Sequence, residues 1–175
     1  DFRVVSDSSK IQLGLPEVTL GIFPGWGGTQ RLPRLIGLEN SLPLIIQGKP
    51  VASQKAYRIK LVDALFLEAF FDEQVLLFAH KLKDKQYRKA LNKRRKVKGL
   101  VSFFLNKTIF GLLLVSYMTK RQLIKKTKGF YKAPLLALKA VIKGYPRSLK
   151  MGLKIESKIA LELFDNNEVT KNMIR

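Results

Sequence analysis

An α/β fold is what this sequence predicts, on three observations. Residues 2–5 and 11–15 are short apolar runs of strand character, joined by the polar turn Ser6-Asp7-Ser8-Ser9. From Thr29 onward apolar residues return at helical spacing, with Leu32, Leu35 and Ile36 on one face before Gly37. Between the two regimes stands Pro24-Gly25-Trp26-Gly27-Gly28-Thr29, a turn sequence that marks the change.

The first strand covers residues 2–5 and the second residues 11–15, where Pro16 removes a backbone donor and holds Leu15 extended. Glu17 then stands where a strand gives way to a turn, a position from which scaffolds present reacting groups, and is a candidate acid or base. Gly25, Gly27 and Gly28 allow positive φ and a close backbone approach to a ligand. Thr29 can cap the helix that follows, whose free N–H groups favour a carbonyl oxygen or an anion. Spacing alone leaves a plainer alternative open: an ordinary turn into a capped helix, with Glu17 a solvated charge.

A second helix is expected over residues 39–47, ended by Gly48, with Pro43 in its first turn. Ser53 reads as the N-cap of a short helix to Ile59, and residues 61–66 as a strand. The helix expected over residues 69–82 carries the lone His80 near its C-terminal end, where a cation is welcome, so a surface role is expected of it. Residues 132–142 read as a helix through Leu135, Leu138, Lys139 and Ile142, broken by Gly144 and Pro146. A last one is expected over residues 148–164, with Leu149, Leu153, Ala160, Leu163 and Phe164 as its apolar stripe and a turn at Asp165-Asn166-Asn167.

The chain has 175 residues, is 46% hydrophobic and carries a formal charge of +20, which suits one globular domain with a strongly basic region. It has no cysteine, which excludes disulfides and thiolate metal sites. Much of the charge lies in residues 81–98 and in Lys120, Arg121, Lys125, Lys126 and Lys128. Between these clusters, residues 100–118 form an apolar segment open to three readings. It could span a membrane, although a central Lys107 costs about 3 kcal/mol there. It could lie on an anionic membrane surface with Phe103, Phe104, Phe110 and Leu114 inserted. It could equally pack on protein. The basic clusters lack a stacking platform or a zinc, helix-turn-helix or RNA-recognition signature, so no specific nucleic-acid binding is expected.

Leu15-Pro16-Glu17, Leu20-Gly21 and the run from Pro24 through Gly27-Gly28-Thr29-Gln30-Arg31-Leu32 closely resemble the enoyl-CoA hydratase/isomerase (crotonase) family. Asp1 resembles the aspartate that closes that family's strand after its first catalytic glutamate. Gly48-Lys49, Ala52-Ser53-Gln54-Lys55-Ala56 and Leu61-Val62-Asp63 resemble its next helix, strand and turn, although Lys60 stands where a glycine is usual. A left-handed Lys60 costs about 1 kcal/mol. Residues 129–139 resemble, more narrowly, the α subunits of fatty-acid β-oxidation complexes, in which a hydratase domain precedes a 3-hydroxyacyl-CoA dehydrogenase.

The resemblance implies a crotonase-like ββα spiral fragment followed by an α-helical region. It implies a core over residues 1–80, a basic and apolar helical insertion over 81–130, and a region over 131–175 leading to a dehydrogenase domain. Glu17 matches the second catalytic glutamate of the family, and Gly25 a glycine whose N–H holds the water or substrate. The first glutamate and the oxyanion-hole amides belong to segments expected before Asp1, so the chain reads as cut and as inactive alone. The implied reaction is syn hydration of a trans-2-enoyl-CoA, with isomerisation by the same carboxylates as a further possibility. No metal or cofactor is implied in this chain, the coenzyme A thioester being substrate. NAD belongs to the dehydrogenase domain, and no G-x-G-x-x-G fingerprint occurs here. The implied partners are acyl-CoA, a thiolase β subunit, further copies of the parent and an anionic membrane surface. The implied location is cytoplasmic in a bacterium or mitochondrial in a eukaryote, with peripheral membrane attachment. The competing expectation is a basic membrane-surface or partner-binding module without a catalytic role.

Overall fold

The computed structural model describes residues 2–95, 104, 108–127 and 132–166. The expectations attached to Asp1, Phe103, Lys107, residues 129–131 and residues 168–175 fall outside the described residues. Two compact units emerge, Asp1–Leu13 with Pro50–Lys98, and Gly14–Lys49 with Gly99–Arg175, a division by contact that differs from the compositional one.

In the first unit β1 (Val4–Ser6) pairs in parallel with β4 (Ala64–Phe66), Val5 lying opposite Leu65. Parallel pairing needs a crossover connection. Within the unit, β2 (Gln12–Leu13) pairs antiparallel with β3 (Val51–Ala52), and α3 (Ser53–Arg58) packs on both sheets. Val5, Ala56 and Val62 are buried among Ile11, Leu13 and Leu65. A 3-10 turn, Glu68–Phe70, leads into α4 (Phe71–Lys81), and α5 (Lys85–Arg95) follows.

Lys60 does take the left-handed conformation, with φ 68. The turn is a complete Schellman motif: Leu61 N–H donates to Ala56 O at 2.9 Å and Lys60 N–H to Tyr57 O at 3.2 Å. Leu61 packs against the Ala56 cluster and its carbonyl accepts Arg3 Nε at 2.8 Å. These contacts offset the backbone cost. They also shorten the expected strand, because Leu61 closes the turn after the helix and pairing starts only at Ala64. Ser53 is not an N-cap. It is the first residue of α3, its N-cap is Ala52, and its hydroxyl is buried with no partner among the described residues.

The second unit is helical. A 3-10 helix, Pro16–Leu20, is followed by α1 (Gly28–Ile36), α2 (Leu38–Ile46), α6 (Ile109–Thr127), α7 (Lys132–Gly144) and α8 (Leu149–Asn166). Leu38, Ile45, Ala137, Val141, Ile159 and Leu163 anchor its core. The second strand ends at Leu13 rather than Leu15 because Pro16 opens the 3-10 helix. Pro43 lies in the middle of α2, not its first turn, since that helix starts at Leu38 directly after Gly37. In α7 the fully buried residues include Ala133, Pro134, Ala137, Leu138, Ala140 and Val141, while Leu135 and Ile142 are half-buried against the same core.

Three expectations about the last helices are corrected. Leu149 is exposed, and the buried stripe of α8 is Gly152, Glu156, Ile159 and Leu163. Asp165 and Asn166 continue the helix instead of turning. The second basic cluster is not a flank beyond an apolar helix, because α6 runs through it to Thr127. No helix among the described residues is long and apolar enough to cross a membrane.

Candidate active site

Pro16 starts the 3-10 helix at a position that needs no donor, and Gly21 closes it with φ 81. Thr19 Oγ1 ties the turn by donating to Pro16 O at 2.6 Å. Val18 is thereby buried in the core, while Glu17 lines a cavity of about 350 Å³. Ile22, Phe23, Gly25, Trp26, Ala160 and Leu163 complete the lining. The two residues singled out from the sequence, Glu17 and Gly25, therefore face one cavity. His80 is exposed at the end of α4, and no cluster of metal-ligating side chains occurs among the described residues.

Glu17 Oε2 is buried and has no hydrogen-bond partner among the described residues. An acceptor left empty costs about 1–3 kcal/mol, and more when charged. Such an oxygen on an otherwise apolar wall suits a ligand that brings a donor of its own, such as a water or an acidic C–H. Gly25 is half-buried, and a methyl group added there would lie 3.7 Å from Ala160 Cβ and from Phe23 O, an ordinary contact. Gly25 lines the cavity without an unusual φ. Of the segment's three glycines only Gly27 has a positive φ, 96. Trp26 stands 97% exposed at the cavity's edge.

The start of α1 departs from expectation. The helix begins at Gly28 with Gly27 as N-cap, and Thr29 is inside it. Its N-terminal donors are met by a carboxylate from the far end of the sequence. Glu156 Oε1 accepts Gly27 N–H at 2.5 Å, and Oε2 accepts Thr29 N–H at 3.1 Å and also the Thr29 hydroxyl. The anion expected at this helix start is thus the protein's own side chain. Gln30 Nε2 continues the network to Thr29 Oγ1 at 3.0 Å and to Ala140 O at 2.9 Å. Arg34 then donates to Gln30 Oε1 and to the carbonyls of Gly144, Tyr145 and Arg147, satisfying the end of α7. Burial lowers the Arg34 pKa from its ordinary value and raises that of the neighbouring Tyr145. Glu156 was not singled out from the sequence, although a trace was there: it is the one acid in the stripe with Gly152, Ile159 and Leu163.

An α/β chain with a buried carboxylate oxygen on a small, mostly apolar cavity defines a class of protein and not yet a family. The family is more specific: the chain belongs to the enoyl-CoA hydratase/isomerase family, whose model matches residues 1–109. It is similar to the fatty acid oxidation complex subunit alpha of Vibrio vulnificus (strain CMCP6), 38% identical over 168 residues, covering 96% of this chain and 23% of that protein. The protein of that name from Shewanella amazonensis (strain ATCC BAA-1098 / SB2B) is 39% identical over 155 residues, covering 89% and 21%. The chain thus spans less than a quarter of the length of these relatives. Among solved structures, an enoyl-CoA hydratase from Bacillus anthracis aligns with a TM-score of 0.44 at 25% identity, covering 99% of this chain and 50% of that one.

Proposed function

We propose that this chain contributes Glu17 and Gly25 to an enoyl-CoA hydratase site of a fatty-acid β-oxidation enzyme. The observation that carries the reading is the buried, unpartnered Oε2 of Glu17 on a cavity it shares with Gly25. Adding water across a conjugated thioester moves a proton from the water and delivers one to the α-carbon. A carboxylate with a free acceptor can take or return such a proton, and the Gly25 N–H can orient the water. The charge that develops on the thioester oxygen needs a second set of donors, which the family resemblance assigns to residues outside this sequence. On this reading the chain alone hydrates little or nothing, and the protein that carries it is active. Hydration transfers no electrons, so the step calls for no redox group. NAD chemistry, a thiolase partner and self-association belong to the whole protein.

The test is hydration of crotonyl-CoA, followed as loss of the enoyl thioester absorbance. The protein carrying this sequence is expected to turn over, and Glu17→Gln to lose 10²–10⁴-fold, the usual worth of a positioned acid or base. Turnover by the variant within threefold of wild type contradicts the assignment.

One further feature favours a second role. On α6, Phe110, Leu113, Tyr117 and Met118 are exposed on a helix that also carries Lys120, Arg121 and Lys125. That combination suits attachment to an anionic membrane surface, in a peripheral arrangement.

A further inference from the structure

We infer that Glu156 is a positioning residue for the hydration site, holding the Gly25 turn against the Ala160 wall of the cavity. This rests on the reading of Glu17 and Gly25 above and extends it to the last helix. Glu156 is 1% exposed, and its charge is met by three donors at the start of α1, with no ion pair to it among the described residues. An apolar residue would complete the stripe of Gly152, Ile159 and Leu163 but leave the donors of Gly27 and Thr29 unmet, so the carboxylate ties this helix face to the start of α1.

The geometry it secures is that of the cavity. Gly27, which the carboxylate holds, is two residues beyond Gly25. Ala160, one turn after Glu156 on α8, lies next to Gly25 and lines the same cavity, and Leu163, a further turn on, lines it too. One side chain therefore clamps the turn that bears Gly25 to the helix that forms the adjoining wall. Gln30, donating to Thr29 Oγ1 and to Ala140 O, joins α7 to the clamp and leaves little freedom for α1 to slide. Displacing a reacting group by about 1 Å can cost 10²-fold in rate.

The experiment compares Glu156→Gln, Thr29→Val and Glu162→Gln in the protein carrying this sequence. The last is a control that removes the charge of Glu162, on the same helix as Glu156, from its part-exposed pair with Lys139. Two readouts are taken: kcat and KM for crotonyl-CoA, and hydrogen–deuterium exchange of the amides in residues 24–31. Glu156→Gln presents an amide N–H to a donor, so it is expected to lower kcat at least tenfold with KM within threefold and to speed amide exchange at Gly27 and Thr29. Thr29→Val, which removes the hydroxyl's bonds to Glu156 and Gln30 and keeps both backbone amides on Glu156, is expected to lower kcat about threefold and serves if Glu156→Gln does not fold. Glu162→Gln is expected to change neither readout. Exchange that rises while kcat stays within twofold overturns the positioning role, and unchanged exchange overturns the clamp itself. A wild-type protein that hydrates no enoyl-CoA instead refutes the functional reading, and the positioning role with it, while the exchange data still report on the clamp.

Discussion

Replacing Asp63 by Asn removes the charge at the best-connected carboxylate of the first unit. Its side chain is 2% exposed and accepts Arg95 Nε at 2.6 Å, Arg95 Nη2 at 2.9 Å and Arg3 N–H at 2.8 Å, with Arg3 Nη2 at 3.4 Å. Taking one partner from a buried pair costs about 3–5 kcal/mol. Asn keeps one acceptor, and the Arg95 and Arg3 side chains are 24% and 38% exposed, so water can replace part of what they lose. The expected loss is therefore about 2–3 kcal/mol, read as the shift of a urea unfolding midpoint at pH 7.

The pH dependence of that loss follows from the same contacts. Burial alone raises the Asp63 pKa, but the hydrogen bonds from Arg95 and the Arg3 backbone, with both guanidinium charges, outweigh it and leave the group below its ordinary value. A depressed carboxylate stabilises the fold above its unfolded pKa, near 3.9, and loses that contribution as pH falls through the lower folded value. The gap between wild type and Asp63→Asn should accordingly shrink below about pH 4. A midpoint shift worth less than about 0.5 kcal/mol at pH 7, or a gap that stays unchanged at low pH, refutes this account of the turn.

The backbone offers two further tests by denaturation. Lys60→Gly relieves a left-handed residue at φ 68, worth about 1–2 kcal/mol, against a glycine entropy cost of about 0.5–1, so a gain of about 0.5 kcal/mol is expected; destabilisation beyond 1 kcal/mol contradicts it. Gly48→Ala, whose Cβ would fall 2.7 Å from Thr19 Cγ2 at φ 62, should cost about 1–3 kcal/mol, whereas Gly25→Ala should stay within about 0.5 kcal/mol. Equal effects at the two sites would refute the steric distinction. Co-sedimentation with vesicles rich in anionic lipid should occur at low salt and weaken when Phe110 and Tyr117 are replaced by Ser; no binding at low salt rejects the membrane reading of α6.

Local chemistry explains which features were legible in the sequence. Pro16 ends a strand, Gly37 and Gly48 end helices, and these signals act over a few residues, so they can be read along the chain. Lys60 was legible through the family resemblance, which puts a glycine after α3, and the residue there does take the left-handed conformation. Ser53 and Thr29 misled because both are good caps locally, and only the packed structure shows one hydroxyl buried without a partner and the other turned to Glu156. The Glu156 clamp joins residues 129 apart in sequence, and no local pattern encodes that approach.

Glu17 and Gly25 follow from motif resemblance, and the shared cavity now gives them a physical setting. The most direct test of the account is to separate binding from turnover at Glu17. Crotonyl-CoA affinity and single-turnover hydration would be measured for the protein carrying this sequence and for its Glu17→Gln variant. A catalytic carboxylate predicts affinity within about threefold and a hydration rate lower by at least 10²-fold, since the lost group acts on the proton and not on the acyl chain. Hydration that survives the substitution at near wild-type rate would contradict the central claim and leave Glu17 an ordinary half-buried charge.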